Sequence, residues 1–197
     1  MRIIAGTVRG ARLHTLPGTG TRPTLDRVRE SIFSSLGDLV GAKVADLFAG
    51  TGSLGLEALS RGAVKAVFVE NNRQALQVLR RNIELVSGYF SGAGMNPPSI
   101  ILRADTAYAV LARMEMEQDF DVVFADPPYY TRTKVPGADD LLGNRDFSAW
   151  IGDALLVLEH PAEVDLKMRT TDGWQWLKTK RYGHCAVSFV RKKLCGR

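Results

Sequence analysis

Asp46-Leu47-Phe48-Ala49-Gly50-Thr51-Gly52-Ser53-Leu54-Gly55 sets glycines in a Gly-x-Gly-x-x-Gly spacing between a short apolar run, Val44 to Phe48, and a segment whose Leu56, Ala58 and Leu59 mark a helix stopping at Gly62. A strand that turns through glycines into a helix lets a ligand approach the backbone closely and aims free N–H groups at it. The same spacing serves a dinucleotide and S-adenosylmethionine (SAM) equally well. By itself it leaves the cofactor open.

Outward from this turn the chain alternates strand and helix. Ala66 to Val69 reads as a second strand ending on Glu70, and Asn72 caps a helix whose apolar face is Ala75, Leu76, Leu79, Ile83 and Val86. Gly88 to Pro98 reads as a loop, Ser99 to Leu102 as a third strand ending near Asp105, and 106–117 as a helix. Phe120 to Ala125 is a fourth strand running into Asp126-Pro127-Pro128-Tyr129. A polar loop is expected over Thr131 to Asp146, a helix near Phe147–Gly152 and a fifth strand at Ala154 to Leu158. Trp174–Tyr182 and Cys185–Arg191 form an expected antiparallel pair about Gly183. Upstream, Arg22-Pro23-Thr24 opens a helix with Thr24 as N-cap and Leu25, Val28, Ile32, Phe33 and Leu36 on one face. Residues 1–20 read as a small hairpin or extended arm. The expectation is an α/β fold with a mostly parallel sheet, helices on both faces and a closing antiparallel strand pair. A basic arm, 1–22, precedes the main domain, 23–197.

The 197 residues suit one core, 45% of them apolar and 24% charged. No apolar run has the length of a membrane span, and the N-terminus lacks a signal-peptide core, so no membrane partner is expected. Two cysteines, Cys185 and Cys195, build neither a disulfide framework nor a zinc cluster, which points to the cytoplasm. His14, His160 and His184 have no metal-ligand spacing, so no metal is expected. Net charge is +5 overall, but it divides into +4 over 1–36, −7 over 37–166 and +8 over 167–197. Basic ends around an acidic centre suit a polyanion held at the periphery and a cationic ligand in the middle.

Three acidic positions bear on the cofactor. Glu70, 20 residues after Gly50, can accept both hydroxyls of a ribose. Asp46 at the entry to the glycine turn is misplaced beside a pyrophosphate but suits a sulfonium-bearing zwitterion. Asp105 can accept from an adenine amine, or equally cap the helix that follows. Glu70 suits either cofactor, while Asp46 and Asp105 favour SAM over NAD.

In Asp126-Pro127-Pro128-Tyr129 two prolines end the strand ladder and fix a rigid turn. A carboxylate and a backbone carbonyl held there can accept both protons of one amine, while Tyr129 stacks on a flat ring. An exocyclic base amine has its lone pair delocalised into the ring. Accepting its protons favours pyramidal nitrogen and aims it at a sulfonium methyl. This reading chooses an amine and leaves guanine N2 and adenine N6 both open.

The order of these motifs is that of class I methyltransferases acting on base amines. More narrowly, the chain resembles the RsmD-like 16S ribosomal RNA (guanine-966-N2) methyltransferases along nearly its whole length. The resemblance is carried by Arg2-Ile3-Ile4-Ala5-Gly6 with Arg9-Gly10, by Arg22-Pro23-Thr24 with Asp26-Arg27-Val28-Arg29-Glu30, and by the run from Asp46 to Ala63. It implies SAM against Phe48, Gly50, Gly52, Glu70 and Asp105, and a guanine N2 amine against Asp126, Pro127 and Tyr129. It also implies small-subunit ribosomal RNA as partner, free or in a partly assembled 30S particle, met by a monomer. The segments Gly88–Pro98 and Thr131–Asp146 are longer than this family usually carries.

Arg22, Thr24, Arg27 and Arg29 stand where they can line the cofactor, grip phosphate or decorate an ordinary helix start. Arg9 and Arg12 in the arm favour phosphate. Lys178, Lys180, Arg181, Arg191, Lys192 and Lys193 extend the track or guard a sheet edge. Trp174 and Trp176 share one strand face and read as core. Two alternatives stand beside base methylation by SAM: an NAD-dependent dehydrogenase, disfavoured by the proline motif, and a ribosome-assembly factor that binds RNA without chemistry.

Overall fold

The computed structural model describes residues 1–16, 23–113, 116–128, 137–166 and 173–193. Its centre is a seven-stranded sheet made of β1 (Lys43–Asp46), β2 (Lys65–Val69), β3 (Ser99–Arg103), β4 (Val122–Ala125), β5 (Leu155–Pro161), β6 (Trp174–Tyr182) and β7 (Cys185–Lys192). The order is β3-β2-β1-β4-β5-β7-β6. The first five strands pair in parallel, and β7 runs antiparallel to both β5 and β6. The central strands are apolar on both faces, as a sheet covered on both sides demands. Val44, Ala45, Val123, Phe124 and Leu156 are buried without exception.

Helices α1 (Pro23–Leu36), α2 (Ser53–Ser60) and α3 (Arg73–Gly92) contribute to one buried cluster with Phe68, Val122, Phe124 and Phe189. On the other face α4 (Ala107–Ala112), α5 (Ala138–Gly143) and α6 (Arg145–Trp150) pack with Leu47, Val123 and Leu158. Trp174 lies in this second cluster, stacks on Phe147 at 5.8 Å and donates its indole N–H to the Leu142 carbonyl. It is core, and Trp176 packs beside it.

Several boundaries differ from expectation for identifiable reasons. The α3 helix continues through Gly88 to Gly92, so Gly88–Pro98 is not all loop. A helical glycine costs about 1 kcal/mol relative to alanine, but the extra turn buries Phe90 in the core, a larger gain. The expected 106–117 helix stops at Ala112, with Thr106 as its cap. Half of the supposed 131–146 loop is helical, because Ala138, Leu141 and Leu142 fill the space over β5. Pro23, at the position where its missing N–H is harmless, starts α1, which leaves Thr24 inside the helix.

The N-terminal segment is a hairpin closed by an Arg2–Arg12 bridge, and Ile3, Val8, Ala11 and Leu13 belong to the first core cluster. Its anchor is Glu57 of α2, fully buried. Glu57 accepts the amides of Ile4 at 2.7 Å and Ala5 at 3.1 Å and takes Arg61 Nε at 2.8 Å. Arg29 lies 4.0 Å away on its other side. A buried carboxylate survives only with such a full set of donors. Replacing Glu57 with alanine strands Arg29 and two amides in the interior. Glu57→Ala should therefore lower unfolding free energy by about 3–5 kcal/mol in urea titrations, with early loss of hydrogen-exchange protection at Ile4, Ala5 and Val8.

Candidate active site

The glycine turn occupies the carboxyl end of β1, where β2 leaves on one side and β4 on the other. Gly50 and Gly52 have φ of 54° and 85°, values that side chains resist. Side chains are excluded at the next two glycines by contact as well. A Cβ on Gly52 would lie 2.4 Å from Leu79, and one on Gly55 2.3 Å from Phe68 of β2. Gly50 meets nothing within 4 Å, so its backbone is open to the cleft. Each glycine thus has its own steric cause.

Two cavities meet at Phe48. The first, about 280 Å³, is walled by the turn, by Asp46, Asp126 and Glu159, and by Asp26 and Arg29 of α1. The second, about 150 Å³, is walled by Glu70, Asp105, Tyr108 and Pro128. Tyr108 meets Phe48 edge-on at 6.5 Å, and the two rings give this lobe a flat apolar lining. A third cavity of about 320 Å³ lies beyond Pro127 and Pro128 and includes Glu159 and His160. The Asp126–Pro128 segment is wall to all three.

The carboxylates differ in their commitments. Glu70 accepts the amides of Gly50, Asn71 and Asn72 at 2.7–2.9 Å, which leaves part of its acceptor capacity for a ribose hydroxyl. Asp105 accepts the Thr106 amide and pairs with Arg113, which holds its carboxyl below the usual range. It still borders the apolar lobe. Asp46 is buried and, among the described residues, accepts only the Gly55 amide, at 3.2 Å. Burial pushes its carboxyl up to about 7, against the pull of the Gly55 N–H and with a push from Glu70. Asp126 stands well above the carboxylate range because of burial, then Glu159, then Asp46. Solvent reaches it through the cavities, which tempers the shift without reversing it, since both neighbours act in the same direction.

The first lobe therefore suits a cationic amine or sulfonium, and the second suits a flat base, with Glu70 in its wall hydrogen-bonded to Gly50 of the turn. Those are the parts of SAM. A pyrophosphate would face Asp46 and Asp126. Among the described residues, no group of three or more His, Cys, Asp or Glu could hold a metal ion, and no helix is long and apolar enough to cross a membrane.

The expected RNA contacts separate. Arg9, Arg12 and Arg27 are exposed. Arg29 is not available to phosphate: its side chain is 4% exposed, donates to the Arg2 carbonyl and Asp26, and backs the first cavity. Burial lowers its pKa, partly offset by Glu57 and Asp26. Arg22 and Tyr129 lie outside the described residues. Lys180 is bound to Ser31 and Lys192 to the Ser148 carbonyl, so the C-terminal track is thinner than its composition. Glu159 and Asn82 had no motif to announce them. Asn82 donates to the Thr51 carbonyl and bonds both backbone groups of His14, tying the hairpin to the glycine turn.

The strand order, the glycine turn at β1 and the cleft beside β4 define a class I methyltransferase fold. A putative methyltransferase, yhhF of Escherichia coli, has the same architecture, with a TM-score of 0.73 and 31% identity over 98% of each chain. The chain belongs to the family described as "Conserved hypothetical protein 95", which matches residues 1–191. It is 33% identical to the putative rRNA methyltransferase YlbH of Bacillus subtilis over 98% of this chain and all of that one. Identity is again 33% to ribosomal RNA small subunit methyltransferase D of Escherichia coli, over the full chain and 92% of the relative. The RsmD-like resemblance carried by the N-terminal pieces and the turn thus holds from end to end.

Asp46 supplies a pH test of this electrostatic picture. Its ordinary value is 3.8 and its folded value about 7, so between those limits only the folded state keeps the proton. Its contribution to stability is complete below pH 3.8 and is lost as pH rises through 7. Asp46→Asn lacks that loss. Without cofactor, the variant should gain on the parent by on the order of 2–3 kcal/mol between pH 5 and 8 in urea titrations. A gap independent of pH would mean that Asp46 is ionised throughout.

Proposed function

We propose that this protein transfers a methyl group from SAM to the N2 amine of a guanine in small-subunit ribosomal RNA, at the nucleotide corresponding to guanine 966. The observation that carries this reading is Asp126-Pro127-Pro128 as the common wall of the three cavities. Support for ribosomal RNA comes from the names of the full-length relatives. The substrate is the RNA itself or a partly assembled 30S particle in the cytoplasm, and the enzyme acts as a monomer.

SAM supplies a methyl made electrophilic by its sulfonium. Phe48 and Tyr108 would flank its base, Asp105 would accept the base amine, Glu70 would hold the ribose, and Gly50 and Gly52 would let its tail approach the backbone. Asp46 offsets the cationic end. Asp126 makes no ion pair or hydrogen bond among the described residues, so its oxygens are left to accept from the substrate amine. The Pro127 segment holds a carbonyl beside it, and Tyr129 stacks on the base. Accepting hydrogen bonds from the amine favours pyramidal nitrogen and orients its lone pair. As N–CH3 would form and S–CH3 break, SAM would leave as its neutral thioether product and the surplus N–H proton would pass to solvent. Arg9, Arg12 and Arg27, together with Arg22, grip phosphates, which makes binding salt-dependent.

Asp126→Ala should lower kcat by roughly 10²–10³-fold, while SAM affinity by calorimetry stays within about tenfold of the parent. A variant methylating at the parental rate would sink the mechanism. Labelled SAM, incubated with 30S particles and with naked rRNA from cells lacking the protein, should mark one guanine at N2. Label on adenine N6 would replace the guanine reading with the other base amine.

A further inference from the structure

Strands β4 and β5 pair in parallel with Ala125 beside Leu158, so the next residue of each, Asp126 and Glu159, stand side by side. Neighbouring strands are about 4.8 Å apart, a separation that two carboxylates can span to reach adjacent atoms of one small ring. Both residues wall the first cavity, and Glu159 also walls the cavity beyond Pro127. Two carboxylates therefore line one cavity from adjacent strands, and base-amine chemistry assigns a role to only one of them.

The edge of guanine explains the second. Beside its N2 amine guanine carries N1–H, a donor, whereas adenine beside its N6 amine carries N1 with a lone pair. An acceptor next to Asp126 completes a donor edge and repels a lone pair. We propose that Glu159 is the specificity residue of this site, accepting N1–H of the target guanine while Asp126 accepts from N2, and so rejecting adenine. This rests on the base-amine reading above and names what that reading leaves undecided, the base. The mutual repulsion of Asp126 and Glu159 is relieved by a substrate that brings adjacent donors to both.

The test uses 2-aminopurine, which keeps the 2-amine but has a lone pair at N1 and no O6. Small-subunit rRNA is ligated with guanine or 2-aminopurine at the nucleotide marked by labelled SAM and assembled with the small-subunit proteins. In the parent, kcat/KM should favour guanine strongly. Glu159→Gln offers both a donor and an acceptor, so this preference should fall on the order of 10- to 100-fold, partly by a gain on 2-aminopurine. Loss of O6 is common to both enzymes and cancels in the cycle. Glu159→Ala should narrow the preference by loss on guanine alone. SAM affinity should stay within about tenfold of the parent in both variants. An unchanged preference, or equal loss on both bases together with weakened SAM binding, overturns the assignment and makes Glu159 a cofactor or packing residue. Neither result touches Asp126. A failure of base-amine methylation itself appears separately, as an absence of label from the parent enzyme.

Discussion

Strand β1 lies in parallel between β2 and β4, and the chain leaves its carboxyl end toward α2 while β4 is reached only after two further crossovers. The loops following β1 and β4 must therefore part, and a cleft opens between them at the point where the strand order reverses. Every candidate group follows from this parting. Asp46 ends β1, Glu70 follows β2, Asp126 follows β4, and Glu159 stands beside Asp126 on β5. Acids gathered at one end of a sheet are raised first by burial and then by one another, as at Asp46 and Asp126. A cleft of this kind is poorly suited to phosphates and well suited to positive charge and N–H donors.

Crowded carboxylates are tolerable only if the loops bearing them cannot relax apart, and the hairpin supplies that restraint. Glu57 fastens Ile4 and Ala5 to α2, the helix that begins at the glycine turn. Ser60 bonds the Val8 amide and the Ala5 carbonyl, and Asn82 joins His14 to Thr51 of the turn itself. The residues of the hairpin thus serve two environments at once. Ile3, Val8, Ala11 and Leu13 are buried, while Arg9 and Arg12 project outward. The same segment stiffens the cofactor side and presents charge to the solvent.

What was legible in the sequence was whatever has a local cause. Glycines at fixed spacing require close approach, a proline pair ends a strand, and apolar runs alternating with amphipathic ones build a parallel sheet. Hence the parallel strands with their closing antiparallel pair, the turn, and the strand-end positions of Glu70 and Asp126 lie where the sequence puts them. What was not legible depends on contacts between distant segments. The turn of α3 beyond Gly88 exists because Phe90 finds the core, and α5 because Leu141 and Leu142 do. Arg29 looks like any surface arginine of a helix start until the hairpin folds over it and Glu57 draws it inward. Glu159 belongs to an apolar strand, Leu155-Leu-Val-Leu158, and acquires meaning only from the register that sets it beside Asp126.

The charge division of the chain now has a spatial form. The centre is acidic because the strand ends are, and exposed arginines stand on the hairpin and on α1. A polyanionic backbone is attracted to such arginines and repelled from the acidic floor. On the proposed reading the RNA chain stays outside and only a base, neutral and rich in N–H donors, descends among the carboxylates. Extruding a base from its stack costs a few kcal/mol. The acids recover part of that cost through hydrogen bonds that no phosphate, and no base with a lone pair at N1, could make. On that reading the repulsion between the acids and the choice of base have one cause.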